Sequence, residues 1–297
     1  MSDHDFKYDW CPSSVKDVTV LMDRSFNQLG ADGIEIDART VYESQTNTNV
    51  YIVHDKIDEE KLSEMSKAYL ENNTLTKVLS HFIQKKYFNP QKYRPSGKYI
   101  YIEIKIPKKN LHLNHSPLNS LQKQYIEQII DELHDTIEST AGNGNMSAAI
   151  RRHIGFASFN LYALEYANSY SMKQQQDGYS FYFIAGTNRG FIGYLANFFF
   201  SKEINYLDEN LTQRLKSHKW LSGIWFDPAG INRIAETFNK INSQRKPPLS
   251  LYISTYNLKR QCFFNKLRKD SADTVTDQPV KLENVRGLFF DIQVCEN

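Results

Sequence analysis

Glu35 and Asp37 stand one residue apart in the run Gly30-Ala31-Asp32-Gly33-Ile34-Glu35-Ile36-Asp37. On a strand, where side chains alternate, this spacing sends both carboxylates to one face and Ile34 and Ile36 to the other. Two converging acids repel one another unless they stay in water or share a cation, and their hard oxygen atoms suit Mg²⁺ or Ca²⁺. An isolated pair of this kind is ordinarily solvated. A second run, Lys98–Ile106, follows the same logic: Glu103 and Lys105 share a face opposite Ile102, Ile104 and Ile106. With Glu103 added, three acids from two strands can hold one divalent ion, and Lys105 is placed to meet an anionic oxygen of a substrate. His54 ends the run Asn49–His54, and an imidazole, which ordinarily titrates near neutrality, can pass a proton to or from a phosphoryl oxygen. His4, far upstream, is the candidate for a second imidazole.

Elements of suitable type surround these residues. Short apolar or alternating runs fall at Asp32–Asp37, Lys98–Ile106, His153–Ser158, Tyr179–Ala185, Ser222–Asp227, Leu249–Thr255 and Arg286–Ile292, with a poorer one near His4–Tyr8. Most are separated by enough chain for a helix, which is the rhythm of repeated βα units. Helical stripes run through Ser116–Ile137 and Gly230–Ile241, and Glu59–Tyr69 and Leu75–Lys85 also read as helices. Ser14, with Asp17 three residues on, predicts a helix N-terminus, and Gly30 its end. Asn49–His54 follows Asp37 too closely for a crossover helix and is predicted to return as a hairpin arm. The expected fold is α/β: a TIM-type (β/α)8 barrel forming one domain over residues 1–297, with a short hairpin excursion at its C-terminal mouth.

Composition limits the classes of partner. Thirty-six Lys+Arg against 34 Asp+Glu leave a net charge of +2, well short of the basic excess by which a nucleic-acid binder neutralises phosphates, so no nucleic-acid partner is expected. Eighteen Tyr and 18 Phe favour strands and an aromatic-walled cavity over a helical bundle. No stretch reaches the roughly 18–20 apolar residues that span a bilayer. The first residues show neither a basic nor an apolar leader region, and Cys11, Cys262 and Cys295 lack zinc-ribbon spacing, so a soluble protein, secreted or cytoplasmic, is expected. The pairs Lys85-Lys86, Lys108-Lys109 and Arg151-Arg152 read as solvated charges, with transient contact to an anionic membrane surface as the lesser reading. Gly186-Thr187-Asn188-Arg189-Gly190 reads as a plain loop, and Phe191–Phe200 as a buried helix. A monomer is expected.

The series Gly30–Asp37, Val53-His54-Asp55 and Ile102-Glu103-Ile104-Lys105 resembles the glycerophosphodiester phosphodiesterase pattern within the phospholipase C-like phosphodiesterase barrels. Weaker likeness continues through Ala157–Asn160, Ser222–Ile224 and Leu251–Asn257. The resemblance implies Glu35, Asp37 and Glu103 as ligands to Mg²⁺ or Ca²⁺, His54 as an acid/base histidine and Lys105 as a phosphate contact. It also implies a phosphodiester or phospholipid substrate, with hydrolysis or transfer at a glycerophosphodiester or (lyso)phospholipid headgroup. The family's other histidine lies in a His-Arg-Gly motif that this sequence lacks, which leaves His4 for that role. The short stretch from His54 to Glu103 is more similar to sphingomyelinase D-type phospholipases. The missing motif is also the reason to weigh a non-catalytic phosphate- or lipid-binding module on a degenerate barrel.

Overall fold

The computed structural model describes residues 17–28, 31–41, 49–53, 59–88, 97–106, 117–142, 144–185, 209–226, 238–255 and 285–290. The chain is α/β, with a mostly parallel sheet and helices. It divides into two compact units, Met1–Phe181 with Ile292–Asn297, and Tyr182–Asp291.

In the first unit, β1 (Gly33–Thr40), β2 (Val50–Ile52), β3 (Tyr99–Ile104) and β4 (Ile154–Ser158) take the spatial order β2-β1-β3-β4. β1, β3 and β4 are parallel. β2 runs antiparallel to β1, pairing Ala38 with Ile52 and Thr40 with Val50, as expected of a return too short to hold a helix. Its outer edge is covered: the Ile52 amide donates to the Asn73 carbonyl (2.7 Å) and the Val50 amide to the Glu132 carboxylate (2.6 Å). Such covering keeps an edge strand from pairing with another chain.

The helices follow from apolar spacing and local caps. In α4 (Leu75–Gln84), Leu75, Val78, Leu79, Phe82 and Ile83 form one buried stripe, and Thr74 caps the N-terminus by accepting from the Lys77 amide. α5 (Ser120–Ala141) opens on a reciprocal capping box between Asn119 and Gln122 and buries Ile126, Ile129, Ile130, Leu133 and Ile137. It stops at Gly142, whose φ of 74° is the left-handed conformation that glycine adopts without Cβ strain. α6 (Gly144–Arg151) follows at once. α5 packs against β1 and β2, α4 against β2, and α7 (Leu161–Lys173) against β4.

Several expectations need correction. Asp17 is itself the N-cap of α1 (Val18–Asp23), its carboxylate accepting from the Thr19 amide, so the helix starts later than Ser14 would place it. A π-helical turn, Arg24–Gln28, continues it. The helix read through Glu59–Tyr69 is two pieces, α2 (Glu59–Glu64) and α3 (Lys67–Asn72), because the Ser66 hydroxyl accepts from the Tyr69 amide and starts a new helix. Arg151 is not a solvated charge: it is buried, pairs with Glu138 (3.0 Å) and donates to the Asp177 carbonyl (3.0 Å).

In the second unit, residues Tyr182–Ala185 of β5 (Ser180–Ala185), β6 (Gly223–Phe226), β7 (Ser250–Thr255) and β8 (Val285–Phe290) lie side by side and parallel, and α8 (Glu209–Ser217) precedes β6. A Cβ on Gly223 would lie 2.6 Å from the Ser250 carbonyl and 3.0 Å from the Tyr182 ring, so this close approach at the start of β6 needs glycine. Residues 238–243 are helical. The runs predicted near His4–Tyr8, at Gly186–Gly190, at Phe191–Phe200 and at Arg268–Lys281 lie outside the described residues, as do all three cysteines. Among the described residues, no helix is long and apolar enough to cross a membrane.

Candidate metal centre

β1 lies between β2 and β3, and the Val53 amide bonds the Asp37 carbonyl, so Asp37 is not on an exposed edge. The parallel register sets Asp37 beside Glu103 and Glu35 beside Tyr101. Directly paired residues of neighbouring strands share a face, so the alternation read from each run separately becomes one acidic layer across two strands. The opposite face carries Ile34, Ile36, Ile100, Ile102 and Ile104, all buried. That apolar face fixes the register, since a slip of one residue would exchange the acids with the isoleucines.

Below the acids the same face is aromatic. A Cβ on Gly33 would fall 2.7 Å from Cε2 of Tyr101, so the Tyr101 ring lies across this glycine, one layer beneath Glu35. Tyr99 stacks on His153 with ring centroids 4.9 Å apart. On β4, Gly155 and Ala157 stand beside Tyr101 and Glu103 and leave that flank free of large side chains.

The acids are withdrawn from solvent: Glu35 is 7% exposed, Asp37 0% and Glu103 1%. One carboxylate oxygen from each lies within 4.8 Å of the others, and among the described residues no other group of three or more acidic, histidine or cysteine side chains converges in this way. The Lys105 ammonium enters the cluster, 2.9 Å from Glu103 Oε2 and 3.2 Å from Asp37 Oδ1. Burial alone would lower its pKa, but Glu103, Asp37 and Glu35 outweigh that effect and hold it above the ordinary lysine range. Three carboxylates and one ammonium carry two negative charges in sum, which one divalent cation would balance. Oxygen donors within a few ångströms of each other fit Mg²⁺ or Ca²⁺ in kind, and their burial makes a cation there worth more than at a surface.

The end of β3 is fastened from both sides. Ser158 Oγ, at the end of β4, donates to the Ile104 carbonyl (3.2 Å), and Arg39 Nη1, at the end of β1, reaches the Lys105 carbonyl (3.4 Å). Arg39 also lies against Tyr125 of α5, whose hydroxyl is pushed up to about 12 by burial, with the nearby guanidinium pulling the other way. The backbone from which Lys105 projects is thus tied to β1 and β4 and, through Arg39, to α5.

The structure therefore brings together four of the six predicted site residues: Glu35, Asp37, Glu103 and Lys105. It places Lys105 on the acids. His54 and His4 lie outside the described residues, and the described part of β2 ends at Val53, whose amide donates to the Asp37 carbonyl (3.0 Å). Arg39 and Ser158 were not read from the sequence as parts of the site. Arg39 stands two positions after Asp37 on the same face, so the alternation that marks Glu35 and Asp37 extends to it. No family model and no characterised protein matches this chain.

Proposed function

We propose that the chain is a divalent-metal-dependent phosphodiester hydrolase or phosphotransferase, built on a TIM-type (β/α)8 barrel and acting on a glycerophosphodiester or (lyso)phospholipid headgroup. The carrying observation is the convergence of Glu35, Asp37 and Glu103, buried and joined by Lys105, on adjacent parallel strands. Their position towards the C-terminal end of β3 is where barrel enzymes assemble active sites, an analogy of fold rather than of chemistry.

Glu35, Asp37 and Glu103 would hold Mg²⁺ or Ca²⁺, which would supply charge neutralisation at the phosphoryl oxygens. Lys105 is within reach of an anionic oxygen brought to the same cluster and would add to that stabilisation. His54 and His4 are the groups proposed to move protons, one taking a proton from the attacking hydroxyl and the other giving one to the leaving oxygen. Attack by water gives hydrolysis, and attack by a neighbouring hydroxyl of the substrate gives a cyclic phosphate.

The test is turnover of glycerophosphocholine, lysophosphatidylcholine, sphingomyelin and phosphatidylinositol, with Mg²⁺, with Ca²⁺ and in excess chelator. Turnover of at least one substrate, lost in chelator and in Asp37→Asn, is the expected result. Activity undiminished by chelator or by Asp37→Asn rejects the mechanism. Binding without turnover favours the non-catalytic module, a reading that the missing His-Arg-Gly motif supports.

A further inference from the structure

We infer that Lys105 is a resident counter-ion that competes with the divalent cation for Asp37 and Glu103, so that metal and anionic substrate bind cooperatively as the ammonium moves from the carboxylates to the substrate's anionic oxygen. The inference rests on the metal centre proposed above and adds a means by which that centre regulates its own loading.

Its basis is geometric. The ammonium stands 2.9 Å from Glu103 Oε2 and 3.2 Å from Asp37 Oδ1, in contact with two of the three acids that converge within 4.8 Å. A cation drawing on both Asp37 and Glu103 must share that space with another positive charge, and like charges so close in a water-poor site repel strongly. The lysine has somewhere else to go. Its stem is flexible, its side chain is 12% exposed, and it is the first residue beyond the regular part of β3. Ser158 and Arg39 fix the backbone carbonyls on either side of that point, so movement is confined to the side chain. An anionic oxygen arriving at the cluster offers the ammonium a partner of the same sign as the carboxylates it leaves. Withdrawal of the lysine then opens Asp37 and Glu103 to the cation. Linkage requires the converse: the cation tightens anion binding by the same factor.

The experiment is calorimetric titration of Mg²⁺ and of Ca²⁺ into the full chain and into Lys105→Met, Lys105→Arg and Lys98→Met, with Mg²⁺ repeated in the presence of inorganic phosphate. Lys98 stands at the other end of β3 beside Asp32, so Lys98→Met removes one positive charge without touching the cluster or the bonds that hold the Lys105 backbone. Lys105→Met is expected to bind the cation at least about tenfold more tightly than wild type, with Lys105→Arg and Lys98→Met changed by less than about threefold. Phosphate should tighten Mg²⁺ binding in wild type and do so less in Lys105→Met. Lys105→Met binding no more tightly than wild type, or Lys98→Met gaining as much, overturns the inference while leaving the metal centre intact. Binding of neither cation by wild type or Lys105→Met removes the metal centre itself. Binding by Lys105→Met alone supports the inference in its strongest form. If Lys105→Met does not fold without metal, it is refolded across a Mg²⁺ series together with Lys105→Gln. Recovery of a cooperative melt supports competition, and no recovery in either variant overturns it.

Discussion

Glu35 belongs to a cluster in which three acids face one ammonium, and that ammonium touches Asp37 and Glu103. Asp37 is fully buried, so what it gains from that ammonium is not screened by water. Asp37→Asn weakens the ion pair and is expected to lower the metal-free stability by about 1–3 kcal/mol in urea unfolding. Unchanged or raised stability would mean that relief of repulsion among the acids outweighs the lost pair. Glu132 is the structural contrast. Its carboxylate accepts from the Val50 amide, the Thr76 amide and the Thr76 hydroxyl, joining α5 to the edge of β2 and the first turn of α4. Glu132→Gln keeps the shape but turns an NH₂ group towards at least one of these donors. A loss of about 1–3 kcal/mol is expected, measured by the same unfolding experiment. A loss below a few tenths would show that water replaces those bonds.

Between elements, the attachment of α1 to α4 is expected to weaken in acid. Asp23, at the end of α1, accepts from the Tyr87 hydroxyl (2.6 Å) and contacts His81 Nε2 of α4 (2.7 Å), while Asn27 donates to Tyr87 (2.8 Å). Burial pushes the Asp23 carboxyl up, but Tyr87, His81 and Lys85 together outweigh it and hold the group below its usual range. A carboxyl depressed in the folded state adds stability that is present above its unfolded value, near 3.8, and lost as pH falls through the lower folded value. Asp23→Asn should therefore cost stability at pH 6 and little at pH 2. Side-chain exposure of 34% keeps the effect modest. A wild-type-minus-variant difference that does not shrink on acidification contradicts this account.

Alternation in Lys98–Ile106 places Glu103 and Lys105 on one face because a strand has no other way to bury Ile102 and Ile104, and the short Glu43–Thr48 stretch leaves only a hairpin for β2. The cap of α1 is less legible: Asp17, read as the capping-box partner of Ser14, is itself the cap, and the tertiary bond from the Val18 amide to Asn73 Oδ1 (2.9 Å) anchors the helix there. α7 escaped notice although Asn160 caps it and Leu161, Leu164 and Ala167 mark its buried side, because its outer face is rich in tyrosine and reads as irregular. The partners of those tyrosines are acids of α5, Tyr166 with Glu127 and Tyr170 with Asp131 (3.0 Å), some 39 residues away and invisible to any local pattern.

For the whole chain, a cation held by the acidic cluster would tie stability to cation concentration. Glu35, Asp37 and Glu103 all lie in the unit Met1–Phe181, and an unfolded chain, with its acids dispersed, has no comparable site. A cation that binds only the native state stabilises it by RT ln(1 + [L]/Kd), about 2.7 kcal/mol at a hundredfold excess over Kd. For a unit of this size each kcal/mol raises the melting midpoint by roughly 2–4 °C. Scanning calorimetry in saturating Mg²⁺ or Ca²⁺ should therefore move the midpoint up by several degrees relative to chelator, and the doubly neutralised Glu35→Gln/Asp37→Asn chain should not respond. If the two units melt separately, only the transition belonging to the first should shift, which distinguishes binding at this cluster from general screening of surface charge. A shift shared equally by both transitions, or retained in the double variant, would place the cation elsewhere on the molecule and leave the three buried acids to be explained by Lys105 alone.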